Sequence, residues 1–133
     1  MALGGTSAVT RGITLDTGAL IALERGQKRM RLQIKLASET GTRVTVPAAV
    51  LIEWWRTGFG RRHEDLLAPM HIEPTTARIA KAAGAALTTI RVSVVDAAVM
   101  ASAALRGDVV FTSDVGDLSQ LQAHFPSVRI FGV

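Results

Sequence analysis

Short runs of β-branched and apolar residues recur along this chain, each followed by a segment of helical length. Strands joined through helices run parallel, and a parallel sheet needs helices on both faces. The alternation therefore predicts an α/β domain with a central, mostly parallel sheet. In such sheets, sites form outside the carboxyl ends of the strands. The residues just past each strand thus matter most.

Gly12–Leu15 reads as the first strand, and Thr17–Glu24 as a helix capped by Asp16 or Thr17. Gln27–Thr40 reads as a second helix stopped by Gly41. Arg43–Val46 is a β-branched strand, and Pro47 opens the helix Ala48–Arg56. Gly58–His63 reads as a mobile, basic connection. Glu64–Leu67 makes one helical turn and Met70–Glu73 a short strand. Pro74 and Thr75 precede the Ala-rich helix Thr76–Thr88, and Ser93 caps the helix Val94–Leu105, which Gly107 closes. Val109–Thr112 is a strand, a helix spans about Val115–Ala123, and Val128–Phe131 is the last strand.

The 133 residues suit one domain, residues 1–133, with 1–10 a loose N-terminal arm. A hydrophobic content of 48% is too high for a disordered chain. The absence of cysteine excludes a disulfide scaffold, an iron–sulfur site and thiol catalysis. The chain has no membrane-length apolar run and no signal-like N-terminus, so the expected compartment is the cytoplasm, with no membrane partner. The net charge of +4 comes from 15 basic residues, twelve of them Arg. Arg pairs with phosphate through a planar fork, so this balance points to a polyanionic partner such as nucleic acid.

The acids are placed where the sheet argument looks. Asp16 ends the first strand, and Asp114 comes two residues after Thr112 ends another. Asp96 lies in the first turn of its helix, Glu53 on the helix after the second strand, and Asp117 one turn beyond Asp114. Taken singly, each has an ordinary reading. Asp16 and Asp114 can cap helices, Asp96 completes a capping box with Ser93, Glu53 can pair with Arg56, and Asp117 can be a surface acid.

Taken together, they need a cation. Two charges about 4 Å apart repel by roughly 4 kcal/mol at an effective dielectric near 20. Such a cluster either keeps protons or holds a metal, and all-oxygen ligands select hard ions such as Mg²⁺ or Mn²⁺. Those ions organise phosphate chemistry. If the five acids share a site, six acids face 15 basic residues elsewhere. An acidic pocket then sits in a strongly basic surround, which suits a nuclease.

Competing motifs are missing. The chain has no phosphate-binding loop, and Gly58-Phe59-Gly60 lacks the third glycine of a dinucleotide site. His63, His71 and His124 lack metal-ligand spacing and read as surface or partly buried structural residues. Trp54, Trp55 and Phe59 read as core or interface rather than as a base-stacking platform. An aspartyl phosphatase needs a second Asp where Gly18 stands, and a phospho-acceptor domain needs a strand-end Lys that is absent.

Ile13-Thr14-Leu15-Asp16-Thr17-Gly18-Ala19-Leu20-Ile21 resembles the opening of PIN-domain proteins. Val50-Leu51-Ile52-Glu53, Val94-Val95-Asp96-Ala97-Ala98 and Phe111-Thr112-Ser113-Asp114-Val115-Gly116-Asp117-Leu118 resemble their later acidic motifs in order and spacing. The nearest pattern is that of VapC toxins of bacterial type II toxin–antitoxin (VapBC) modules. The resemblance implies a three-layer α/β/α fold and an endoribonuclease that depends on Mg²⁺, with Mn²⁺ as a substitute, and cuts structured RNA (tRNA or rRNA) with metal-activated water. It implies catalytic roles for Asp16, Glu53, Asp96 and Asp114. It implies metal binding by Asp16, Asp96, Asp114 and Asp117, with Thr17 and Thr112 in support. It also implies a homodimer held inactive by a VapB-like antitoxin that wraps the toxin and places a basic side chain in the pocket. Arg56, Arg61 and Arg62 are the candidate contacts for RNA or antitoxin. The rival reading is an inactive PIN-fold module whose acids dock a basic peptide.

Overall fold

A computed structural model of the chain describes residues 11–133, so the proposed arm at 1–10 lies outside the described residues. Five strands form one parallel sheet: β1 (Ile13–Leu15), β2 (Val44–Pro47), β3 (His71–Glu73), β4 (Val109–Thr112) and β5 (Arg129–Gly132). Seven helices connect them: α1 (Thr17–Glu24), α2 (Lys28–Thr40), α3 (Ala48–Trp55), α4 (Arg61–Leu67), α5 (Ala77–Leu87), α6 (Val94–Arg106) and α7 (Val115–Leu121). The strand order is β3-β2-β1-β4-β5. The chain moves outward from β1 to β3, then crosses back to β4 on the other side of β1. Right-handed crossovers place α1–α4 on one face and α5–α7 on the other. The observed packing agrees, with α1 against α2 and α3, and α6 against α5 and α7. The order reverses between β1 and β4, so the segments that follow these two strands diverge and open a crevice at their carboxyl ends.

The core explains why short strands suffice. Leu15, Val46 and Val110 are fully buried in the sheet, and α6 buries every residue from Ala97 to Ala103. A helix apolar around its whole girth must be packed on all sides. The small Ala side chains let α5 and the sheet approach it closely. Among the described residues no helix is long and apolar enough to cross a membrane.

One expectation fails. Gly58–His63 is not a mobile connection throughout, because α4 begins at Arg61. The His63 ring is buried 4.2 Å from that of Trp54, and this contact pulls the first turn of α4 onto the core. Trp54 is fully buried, and its Nε1 donates to Glu24 at 3.0 Å. The loop shrinks to Gly58–Gly60, where Gly60 takes a φ of 135° open to glycine. Outside it, Phe59 stacks on Trp55 and remains 76% exposed. The aromatic group thus splits between core and surface.

A buried polar network ties α6 to the sheet. The Arg106 guanidinium donates to Asp108 at 3.0 Å, to Ser102 at 2.7 Å and to Thr14 at 2.7 Å. Thr14 in turn donates to Asp108 at 2.8 Å, and Glu73 lies 3.4 Å from Arg106. Asp108 has no counterpart among the candidate site residues and its place is structural. Removing one partner of such a pair leaves the other charge buried. Asp108→Ala is therefore expected to lower unfolding free energy by about 3 kcal/mol in urea titration. The exposed Glu39→Ala should change it by less than about 0.5 kcal/mol. A loss at Asp108 no larger than at Glu39 contradicts this account.

Candidate functional site

The crevice between β1 and β4 collects the acids. Asp16 follows β1 in an extended conformation, and its Oδ1 accepts the Ala19 N–H at 2.8 Å, capping α1. Asp114 caps α7 more loosely, accepting the Asp117 N–H at 3.4 Å. Ser93 Oγ accepts the Asp96 N–H at 3.0 Å, so the cap of α6 leaves the Asp96 carboxylate available. Capping and clustering are not rival roles here. The caps set the backbone positions from which these side chains meet.

The carboxylates of Asp96, Asp114 and Asp117 offer oxygens within 4.8 Å of one another. Asp16 is buried behind them, close enough to Asp96 and Asp114 to feel both charges. Thr112, fully buried at the end of β4, accepts the Asp114 N–H at 2.7 Å, and its side chain lies close enough to Asp16 to lower that carboxyl's pKa. Glu53 stands apart from the close trio. It accepts the Thr17 hydroxyl at 2.6 Å and lies near enough for its charge to act on Asp96. Among the described residues no ion pair joins Glu53 to Arg56. The hard, all-oxygen donor set and its uncompensated repulsion fit a divalent cation.

The basic candidates are spread differently. Arg56 is exposed one turn beyond Glu53. Arg61 and Arg62 start α4 and line a cleft with Glu24, Arg31 and Asp65, where Arg62 also donates to the Glu24 carbonyl. Glu24 ends α1 and Asp16 caps its start, so the helix separates these two arginines from the acids by about 12 Å. None of the three histidines joins the acidic group, in line with their reading as structural residues.

Two neighbours of the acids carried no signal of their own. Gly18 and Ser113 pack so closely that a Cβ on Gly18 would sit 1.8 Å from Ser113 Oγ. That contact holds the β4–α7 loop, and Asp114 with it, down on α1. The only clue in the sequence is position, because each stands beside a strand-end acid.

Burial dominates the electrostatics. It pushes the Asp16 carboxyl up to about 6, against the lowering by Thr112 and Ala19 and with a smaller push from Asp96 and Asp114. Burial also raises Asp96, reinforced by Asp114, Asp117 and Glu53. Asp117 is raised through its contact with Asp114.

The folded chain therefore holds the Asp16 proton to higher pH than the unfolded chain, and stability falls as pH rises from the ordinary value of 3.8 through about 6. Asp16→Asn, neutral throughout, is expected to raise stability at pH 7 without divalent cations by about 1–2 kcal/mol. That is several degrees in Tm, and the gain should vanish near pH 4, as thermal melts followed by circular dichroism can check. A gain at pH 4 that is absent at pH 7 contradicts the assignment.

Known proteins place this arrangement. The fold is similar to that of VapBC2 from Rickettsia felis, crystallised bound to a DNA fragment from its promoter, with a TM-score of 0.75 and 11% identity over 91% of this chain and 98% of that one. It is similar to FitAcB from Neisseria gonorrhoeae, with a TM-score of 0.65 and 22% identity over 90% and 96% of the two chains. It is also similar to VapC20 of Mycobacterium tuberculosis, a toxin that cleaves the sarcin-ricin loop, with a TM-score of 0.63 and 26% identity over 89% and 99%. No curated protein sequence matches the chain. The sequence profile of the PIN domain matches residues 13–122, a span that takes in all five acids and every strand except β5. The chain belongs to the PIN-domain family.

Proposed function

We propose that this protein is the toxin of a type II toxin–antitoxin pair and an Mg²⁺- or Mn²⁺-dependent endoribonuclease acting on structured RNA, tRNA or rRNA. The observation that carries this reading is the convergence of Asp16, Asp96, Asp114 and Asp117 at the crevice between β1 and β4. Its likeness to a toxin that cleaves the sarcin-ricin loop supports RNA as the substrate. Asp96, Asp114 and Asp117 would hold the cation, with Asp16 behind them. Bound there, a divalent ion supplies positive charge to the scissile phosphate and lowers the pKa of water.

The chain's own groups do the rest. Thr112 holds the Asp114 backbone beside Asp16, and the Asp16 N–H donates to the Phe111 carbonyl, which fixes the two strand ends relative to each other. Thr17 orients Glu53, whose carboxylate is partly exposed at the rim and can accept a proton from water attacking in line. Asp16 would release its proton to solvent on cation binding, so more cation is expected to be needed at pH 5 than at pH 7.

A VapB-like antitoxin is the proposed protein partner, supported by similar folds solved as VapBC and FitAB assemblies. Leu51, Ile52 and Trp55 of α3, with Leu67, Ala68 and Ile72, line a largely apolar groove that also includes Glu64, and Ile52 is 73% exposed. A partner segment with apolar residues there and a basic side chain toward the acids would silence the site. A homodimer in the cytoplasm completes the reading.

Purified protein should cleave bulk tRNA or ribosomal RNA in Mg²⁺ or Mn²⁺ and lose that cleavage in excess EDTA. Asp16→Asn and Asp96→Asn are each expected to reduce the rate at least about a hundredfold while far-UV circular dichroism stays unchanged. Full cleavage by either variant, or in chelator, would sink the mechanism. Loss of RNA cleavage in every condition, with a basic peptide still bound, would favour the docking module.

A further inference from the structure

A second groove, of about 530 Å³, opens on the other flank of the acids, lined by Gly18, Ile21, Ala22, Arg25, Gln27 and Ser113. Gly18, Ile21, Ala22 and Arg25 recur at helical spacing, so one face of α1 forms its floor. That face runs about 10 Å from the acid end to Arg25. At the near end, Gly18 touches Ser113, which stands between Thr112 and Asp114. The groove therefore begins two residues from Asp16 and one from Asp114.

Its far end is cationic. Arg25, Lys28 and Arg29 are exposed at the α1–α2 turn, and none is paired with a carboxylate among the described residues. Arg29 lies 4.8 Å over the Phe131 ring, which ties this turn to β5. The two flanks of the site thus differ in kind. The groove along α3 is lined by apolar residues and the acid Glu64, whereas the one along α1 carries Arg25, Gln27 and Ser113 beside Ile21 and Ala22 and ends in unpaired cations.

A phosphate chain passing over the acids is drawn to the cationic side. We propose that the RNA strand leaves the acidic site along this face of α1, with Arg25 holding a backbone phosphate beyond the scissile one. Gln27 and Ser113 are neutral groups that can both donate and accept, and they suit a ribose 2′-hydroxyl. This inference rests on the RNA-cleavage reading and adds the path of the substrate to it.

The test is the binding of fluorescein-labelled bulk tRNA, with Ca²⁺ in place of Mg²⁺ to slow cleavage, followed by anisotropy across a series of salt concentrations. Arg25→Ala should weaken binding several-fold and reduce the slope of log Kd against log salt by about one phosphate contact. In Mg²⁺ it should raise KM while kcat stays within about twofold. Arg25→Lys should restore the slope. Lys81→Ala, the same loss of charge on α5 and outside the groove lining, should leave it unchanged. Wild type that binds tRNA with a slope Arg25→Ala does not alter overturns this path and leaves the cleavage reading standing. A slope reduced equally by Lys81→Ala, or an Arg25→Ala defect that Arg25→Lys does not rescue, also overturns the path. Wild type that binds no tRNA overturns both.

Discussion

Everything at the crevice turns on one carboxylate that is buried where burial is costly. Asp16 is only 5% exposed, at the end of a strand and beside other acids. What offsets that cost is the Ala19 N–H, the nearby Thr112 side chain, which lowers the carboxyl's pKa, and a proton held to about pH 6. The Ala19 cap also places α1 on β1, and the Asp16 N–H joins β1 to β4 through the Phe111 carbonyl. The same interactions that set the fold at this edge therefore leave the site short of positive charge. On the proposed reading a divalent ion would supply what the chain omits.

The topology explains why the deficit is local. Because strand order reverses between β1 and β4, the segments after these two strands turn to opposite faces and leave the gap between them open. Asp16 lines one wall, and Asp114 and Asp117 the other. Asp96 reaches in from α6, and Glu53 from α3. The basic residues are left to the outer surface. One of them, Arg106, is instead drawn into the buried network and neutralised by Asp108 and Glu73. Others stay free, as at the α1–α2 turn. An overall charge of +4 thus conceals an acidic crevice with a cationic approach on one side and an apolar groove on the other.

Much of this was legible from local pattern, and the remainder depends on contacts between distant residues. The strands were readable because β-branched runs such as Val44-Thr45-Val46 and Val109-Val110-Phe111 end abruptly at Pro47 and Ser113, and all five parallel strands lie within a residue or two of expectation. The acids were readable because a strand-end position needs no long-range knowledge. The start of α4 was not. Gly58, Gly60 and two arginines look mobile, and only the burial of His63 against Trp54 makes the segment helical. The Arg106–Asp108–Thr14 network was equally hidden, since Thr14 and Asp108 are 94 residues apart. The hydrogen bond from Thr17 to Glu53 spans 36 residues and stands where the ordinary reading of Glu53 allowed a local pair with Arg56. Local periodicity reports which face is buried, but not which polar partner is waiting there.

The central claim is that the acids form a site completed by a divalent cation. Isothermal titration of Mn²⁺ and Mg²⁺ into the purified protein, repeated in two buffers of different ionisation enthalpy, tests it most directly. The account predicts saturable binding near pH 6 with release of a fraction of a proton, as Asp16 ionises on cation entry. It also predicts that Asp96→Asn and Asp114→Asn each weaken binding at least about tenfold. Absence of binding heat at millimolar cation, or equal affinity in both variants, would contradict it.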